Sequence, residues 1–194
     1  ALAISTQRAT MTLWDAATGE PLTPSCVWQD TRYAADLAEK FAPTWDDQLV
    51  PVTGRRVGVR APYYWAAQQI REVPAVARAF ARGTLRFGSV DTWLLWNLTQ
   101  EQTYAMTATN ATSLGGLDLR TFAHHVPWIE AQGFPPGLLP RLNLQSPLMQ
   151  WMVAARKDSL VGSTTPMLMT RKTELHGRTP RQVEYLRYIQ EHDI

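Results

Sequence analysis

The chain has 194 residues, of which 45% are hydrophobic, enough for a domain with a real core. Its formal net charge of +2 comes with scattered basic residues, which argues against nucleic acid as a partner. No apolar run approaches the roughly twenty residues of a membrane helix, no basic-then-apolar leader is read at the start, and the lone Cys26 excludes an internal disulfide and fits a cytoplasmic setting.

Ala1 to Ser5 reads as a buried strand already in progress, and with no Met before it the chain is expected to begin inside a longer protein. Thr10, Met11, Thr12 and Leu13 alternate, which predicts a strand over 10–14 with one wet face. Residues 15–21 form a turn cluster in which Gly19 can take a positive φ. Leu22 to Trp28 are expected to return as the second strand of a hairpin. Thr31 to Phe41 predicts an amphipathic helix, with Tyr33, Leu37 and Phe41 on one face and Arg32, Asp36, Glu39 and Lys40 on the other. Pro43 is expected to stop it. Residues 43–64 read as loop-rich, with Pro51, Gly54, Gly58 and Pro62 as breakers. Residues 63–82 read as helical, interrupted at Pro74 and ended by Gly83.

The densest stretch is Phe87 to Thr99. Gly88 and Ser89 break what precedes, and Ser89 or Asp91 can cap a helix. Val90, Trp93, Leu94 and Leu98 then share a face, and two tryptophans in four residues predict that this helix is mostly buried. A short helix is expected over 128–132 and a turn over 133–137. After Pro147 the character changes: 148–155 suits a helix, 162–166 a loop, and 171–178 is polar and mixed in charge. Thr179, Pro180 and Gln182 open a capped terminal helix. The expected division is 1–147 and 148–194.

Few residues carry chemistry by type and position alone. Arg8 follows a strand, where an α/β fold exposes side chains to its cleft, and its fork of donors suits two hydroxyls. By chemistry alone the better reading is a surface arginine with a carboxylate partner. Trp28, twenty residues on, offers an indole face for the C–H side of a ligand, or a core tryptophan at a strand end. Gln29 and Asp30 are candidate positioning residues, and Asp30 with Arg32 also suits a helix cap and a surface charge. His124 and His125 are adjacent and so point apart, which disfavours a shared metal; no metal-ligand spacing and no Walker A loop occurs.

Phe87-Gly88-Ser89-Val90-Asp91-Thr92-Trp93-Leu94-Leu95-Trp96-Asn97-Leu98-Thr99 resembles a segment of the FGGY carbohydrate kinases, most closely their glycerol-kinase-like branch. Ser5-Thr6-Gln7-Arg8, Trp28-Gln29-Asp30-Thr31-Arg32, Pro62-Tyr63-Tyr64 and Thr109-Asn110-Ala111-Thr112 match the same family in order, over about residues 1 to 147. The resemblance implies an α/β fold, part of an actin-like ATPase (ribonuclease H-like) domain with a C-terminal helical tail. It implies a fragment of an ATP-dependent sugar or polyol kinase that carries part of the substrate wall and is inactive alone. Arg8, Trp28 and Tyr63 would contact the sugar or polyol and face one concavity. ATP and Mg²⁺ would serve the intact parent and bind nothing in this chain, because the family's Asp-x-Gly-Thr turn, its Gly-Asp-Gln-type motif and its adenosine site do not occur here.

The sequence departs from the family at three places. Ala9 stands where glycerol kinases have Glu, Ala61 stands where the family has Asp, and the segment after Tyr63 is shortened and lacks a lysine and a tryptophan. The alternative reading is a non-catalytic binding module, since a truncated sheet invites a partner, including a second copy. The tail, about 170–194, is similar to the segment that precedes the phosphate loop of PhoH-like ATPases, through Gly177 to Gln182, Tyr185 and Ile189 to Ile194. That likeness implies a chimera.

Overall fold

Strand β1 (Met11–Asp15) organises the first half of the chain. The computed structural model describes residues 5–99, 103–144, 167–169 and 174–176. It divides into two units, Ala1–Asn143 and Leu144–Ile194. Within the first, β1 pairs antiparallel with β2 (Leu85–Ser89), in a register that sets Met11 opposite Ser89 and Asp15 opposite Leu85. The other edge of β1 meets the returning segment only at Pro21 and Cys26. Two prolines explain why the expected second strand is broken: Pro21 and Pro24 have no N–H to give. The ladder survives as Leu22 N donating to Leu13 O at 2.8 Å and Cys26 N donating to Met11 O at 2.9 Å. Gly19 does take the left-handed turn, at φ 77°.

The wet face predicted for β1 does not exist, since all five of its residues are buried. Threonine alternating with apolar residues looks half-exposed, but a threonine hydroxyl can be satisfied inside. Thr12 Oγ1 is 2.7 Å from Ser25 Oγ.

Helix α1 (Ala34–Asp36) widens into a π turn, Leu37–Phe41, and runs on as α2 (Ala42–Thr53). Pro43 therefore does not stop the helix, and residues 42–53 are not loop. Pro43 sits in the first turn of α2, where a missing N–H costs nothing. The wider turn before it lets Ala42 N–H reach Leu37 O instead of the usual carbonyl. Pro51 is also accommodated inside α2, and Gly54, at φ 74°, ends it. The predicted face is the one used: Leu37 is fully buried, and Tyr33 and Phe41 pack on a cluster of Leu49, Val57, Ala61, Tyr64 and Trp128.

Helices α3 (Pro62–Glu72) and α4 (Pro74–Ala81) are split at Pro74 as the sequence predicts. The first six residues of α3 are buried, and its neighbouring tyrosines serve two clusters. Tyr64 lies edge-on to Tyr33 and Phe41 at 5.3 and 5.5 Å. Tyr63 packs on Phe87 and Phe134, whose own rings are 4.5 Å apart.

Helix α5 (Val90–Leu98) follows β2 directly, with Ser89 at its N-cap position. The Ser89 hydroxyl bonds the Asp91 carboxylate and caps no backbone N–H. The buried residues of α5 are Thr92 and Trp96, not the predicted face, and Leu98 is 60% exposed. The strand-to-helix junction decides this. Gly88 has no side chain, so Thr92 packs within 2.6 Å of where a Cβ would stand. Trp93 instead reaches outward, donating from Nε1 to Gly19 O at 2.8 Å.

Strands β3 (Ala105–Thr107) and β6 (Arg141–Asn143) pair in parallel, and helix α6 (Ala108–Ser113) follows β3. The Tyr104 hydroxyl joins this part to β2. It accepts from Phe87 N at 3.1 Å and offers its proton to Phe87 O at 2.7 Å and to Leu138 O. Strands β4 (Leu117–Asp118) and β5 (Ala123–His124) form a small antiparallel pair, and α7 (Val126–Ala131) covers the predicted 128–132 helix. In the second unit β7 (Met167–Met169) pairs antiparallel with β8 (Glu174–His176). The elements expected at 148–155, 162–166 and 179–194 lie outside the described residues, as does most of the strand expected at 1–5.

The β4–β5 turn carries a pH prediction. Arg120 donates to Asp118 from its backbone N at 2.8 Å, from Nε at 3.2 Å and from Nη2 at 3.0 Å. These bonds outweigh the cost of burial and hold the Asp118 carboxyl at about 2, below its ordinary 3.8. A depressed carboxylate contributes stability above its unfolded value and loses it as pH falls through the folded one. Denaturant midpoints should therefore drop between about pH 4 and pH 2 more steeply in the wild type than in Asp118→Asn. Parallel pH profiles would show that the turn contributes no linkage.

Candidate functional site

Where the turn before β1, the segment around Trp28, the loop before α3 and the end of α6 come together, the first unit has an open concavity of about 480 Å³. Arg8, Ala9, Trp28, Arg55, Arg60 and Ser113 line it. A narrower recess shares these residues except Arg8 and adds Cys26, Asp30, Ala61 and Pro62.

Arg8 is exposed and makes no ion pair with any described residue. The next residue, Ala9, holds φ 55°, a left-handed conformation that costs a non-glycine residue roughly 1 kcal/mol. This strained turn is what carries Arg8 and Ala9 to the concavity. Trp28 stays 45% exposed, so its indole is available to a ligand and is not core. Gln29 is exposed and lines neither hollow.

Asp30 lines the recess, and its charge is committed to Arg32, 2.8 Å away. Burial opposes its ionisation, but hydrogen bonds from Arg32 prevail and keep the carboxylate below its ordinary range. Burial, then the nearby Asp30 charge, push the Cys26 thiol up to about 12, so it is no nucleophile at neutral pH.

Tyr63 is where expectation and structure part. Its side chain is 1% exposed and lies in the aromatic core, not on the concavity. Its hydroxyl has no hydrogen-bond partner among the described residues and lies against Gly116, where an added Cβ would be 2.2 Å from the oxygen. Pro62, one residue earlier, is the part of that motif that reaches the recess. Neighbouring helical positions differ by about 100°, so a register set by the core turns Tyr63 inward. The structure thus brings Arg8 and Trp28 to one concavity and leaves Tyr63 outside it.

Sequence reasoning missed Arg55, Arg60 and Ser113. Arg55 is half-buried, and its Nη1 donates to Thr112 O at 3.3 Å and Ser113 O at 3.0 Å. Burial, and then the charge of Arg60, lower its pKa. The signal was present as three arginines, Arg55, Arg56 and Arg60, between Gly54 and Pro62, a stretch read only for its breakers. No group of three or more His, Cys, Asp or Glu among the described residues could hold a metal.

A sequence profile of the FGGY family of carbohydrate kinases, N-terminal domain, matches residues 1–166. The chain belongs to this family. The FGGY chain is 34% identical over 145 residues to a glycerol kinase of Symbiobacterium thermophilum, covering 73% of this chain and 28% of that enzyme. A glycerol kinase of Thermus brockianus is 36% identical over 147 residues, covering 74% and 29%. Among solved structures, Plasmodium falciparum glycerol kinase with ADP superposes with a TM-score of 0.60 at 26% identity, covering 70% of this chain and 27% of that one. The FGGY chain therefore spans less than a third of the length of the glycerol kinases it matches. The fold is α/β and corresponds to part of the actin-like ATPase domain of these kinases.

Proposed function

We propose that the chain forms part of the acceptor-binding wall of an ATP-dependent sugar or polyol kinase and has no phosphoryl-transfer activity by itself. The observation that carries this is the placement of Arg8 and Trp28 on one concavity, at the two positions where the family resemblance expects contacts to the acceptor. The guanidinium fork can donate to two hydroxyls at once. The indole face can cover the C–H side of the same molecule and keep water from it.

ATP with Mg²⁺ supplies the phosphoryl group in this family. Among the described residues no group of three or more His, Cys, Asp or Glu is gathered, and the sequence has no Walker-type glycine-rich loop, so no residue here is assigned to ATP or Mg²⁺. The role proposed for this chain is to bind and orient the acceptor. Among the described residues no helix is long and apolar enough to cross a membrane.

Two measurements test the reading. Calorimetric titration with a panel of polyols and sugars should find a member whose affinity falls roughly tenfold in Arg8→Ala, the usual worth of a charge-assisted pair of hydrogen bonds. A coupled assay on the purified chain with ATP should show no turnover of the same panel. Turnover that disappears in Arg8→Ala would overturn the inactive-alone reading, and unchanged affinity in that variant would remove Arg8 from the acceptor site.

A further inference from the structure

We infer that the acceptor carries an anionic group, a carboxylate or a phosphate ester, beside its hydroxyls, and that Arg55 and Arg60 receive it in the concavity of Arg8 and Trp28. The inference rests on the acceptor-binding reading above and narrows its substrate class.

The charge inventory of the concavity carries it. Three guanidinium groups, from Arg8, Arg55 and Arg60, line one hollow. Asp30 is the one carboxylate among the described residues lining either hollow, and it already pairs with Arg32 at 2.8 Å. Ala9, beside Arg8, adds no charge. Among the described residues Arg32 pairs with Asp30, Arg56 with Asp46, Arg82 with Asp15 and Arg120 with Asp118. The three in the concavity have no such partner among the described residues, nor do Arg71, Arg78, Arg86 and Arg141; what sets the three apart is that they line one hollow.

Arg55 is also held in place. Its Nη1 is fixed to the carbonyls of Thr112 and Ser113, so a half-buried cation stands at the wall with its remaining donors uncommitted to any described residue. Arg60 is near enough for its charge to act on Arg55, where, after burial, its repulsion disfavours the Arg55 cation. An anion between them would relieve that repulsion and accept from both forks. A neutral polyol would leave the repulsion as it is. Ser113, whose carbonyl accepts from Arg55, also lines the hollow; its hydroxyl donates to Asn110 O at 2.7 Å and so has only acceptor capacity left for the hydroxyl end of such a ligand.

The test compares neutral and anionic ligands on the 194-residue chain by calorimetry. The arms are glycerol, erythritol and xylitol; glycerate, erythronate and xylonate; glycerol phosphate; and inorganic phosphate as the bare anion. The expected result is that one anionic arm binds roughly tenfold or more tightly than the neutral compound of the same carbon number. That preference should shrink as salt rises and be lost in Arg60→Ala. The carboxylate and phosphate-ester arms then identify which anion the site takes. Arg60 makes no hydrogen bond with any described residue, so this variant is expected to keep its fold, to be checked by circular dichroism; Arg60→Lys should restore part of the preference. Neutral ligands binding as tightly as their acids, or a preference that survives Arg60→Ala, would overturn the inference and leave the acceptor-binding reading standing. Inorganic phosphate competing as well as the polyhydroxy anions would also overturn it, since the hydroxyls would then contribute nothing. If no polyhydroxy compound of either kind binds, the acceptor-binding reading fails and this inference fails with it.

Discussion

Phe87→Ala should cost about 3–5 kcal/mol of unfolding free energy, the range for removing a fully buried phenylalanine. Phe87 has no exposed surface, and its ring lies 4.5 Å from that of Phe134 and 5.6 Å from that of Tyr63. The cost should fall at the upper part of the range because the void cannot close. Phe87 sits in the middle of β2 opposite Leu13, and Tyr104 grips its N–H and its carbonyl with one hydroxyl. Phe134 is 1% exposed and begins the turn that leads to β6, so it too is held. Domains of this size carry roughly 5–15 kcal/mol in total, so the variant should unfold at a much lower denaturant concentration. Phe87→Leu keeps most of the volume and should cost about 1–1.5 kcal/mol. Equilibrium denaturation followed by tryptophan fluorescence measures both. A loss under about 1 kcal/mol in Phe87→Ala would mean that the aromatic trio relaxes and is not the centre of this core.

Gly116→Ala is the second large effect. The added methyl would stand 2.2 Å from the Tyr63 hydroxyl oxygen and 2.7 Å from two of its ring carbons, and Tyr63 has no room to retreat. Overpacking of this kind costs about 1–3 kcal/mol. Tyr63→Phe is expected to be neutral or stabilising by up to about 1 kcal/mol, because it removes a buried hydroxyl that has no partner among the described residues. Combining the two should cost less than the sum of the single changes, since both act on one contact. The same variant tests the site. If the Tyr63 hydroxyl is buried as the structure shows, polyol or polyhydroxy-acid affinity should be unchanged in Tyr63→Phe. A folded Tyr63→Phe protein that loses ligand affinity would place that hydroxyl at the ligand.

Local chemistry determined those elements of this FGGY chain whose signal lies within a few residues. Pro74 between two helical runs, Gly19 in a turn of small and polar residues, and the four-residue spacing of Tyr33, Leu37 and Phe41 all act through their immediate neighbours, and each is found where the sequence puts it. Family membership was legible for the same reason, because the five motifs are contiguous strings. Tertiary packing decided the rest. Whether Pro43 breaks a helix depends on the turn before it, and here a π turn absorbs it. Whether Thr12 of β1 meets water depends on what covers the strand, and Ser25 takes the place of water for it. The buried side of α5 was set by Gly88 admitting Thr92, a matter of junction geometry that spacing does not encode. The same holds for the site. Arg8 and Trp28 were visible because motifs mark them, whereas Arg55 and Arg60 gain their meaning only when the fold brings the loop before α3 to the turn after Arg8, and Tyr63 loses its expected one because the core claims its ring. A sequence specifies a side chain's chemistry and its local backbone preference; which surface that side chain faces is settled by burial summed over the whole unit, and no short window contains that sum.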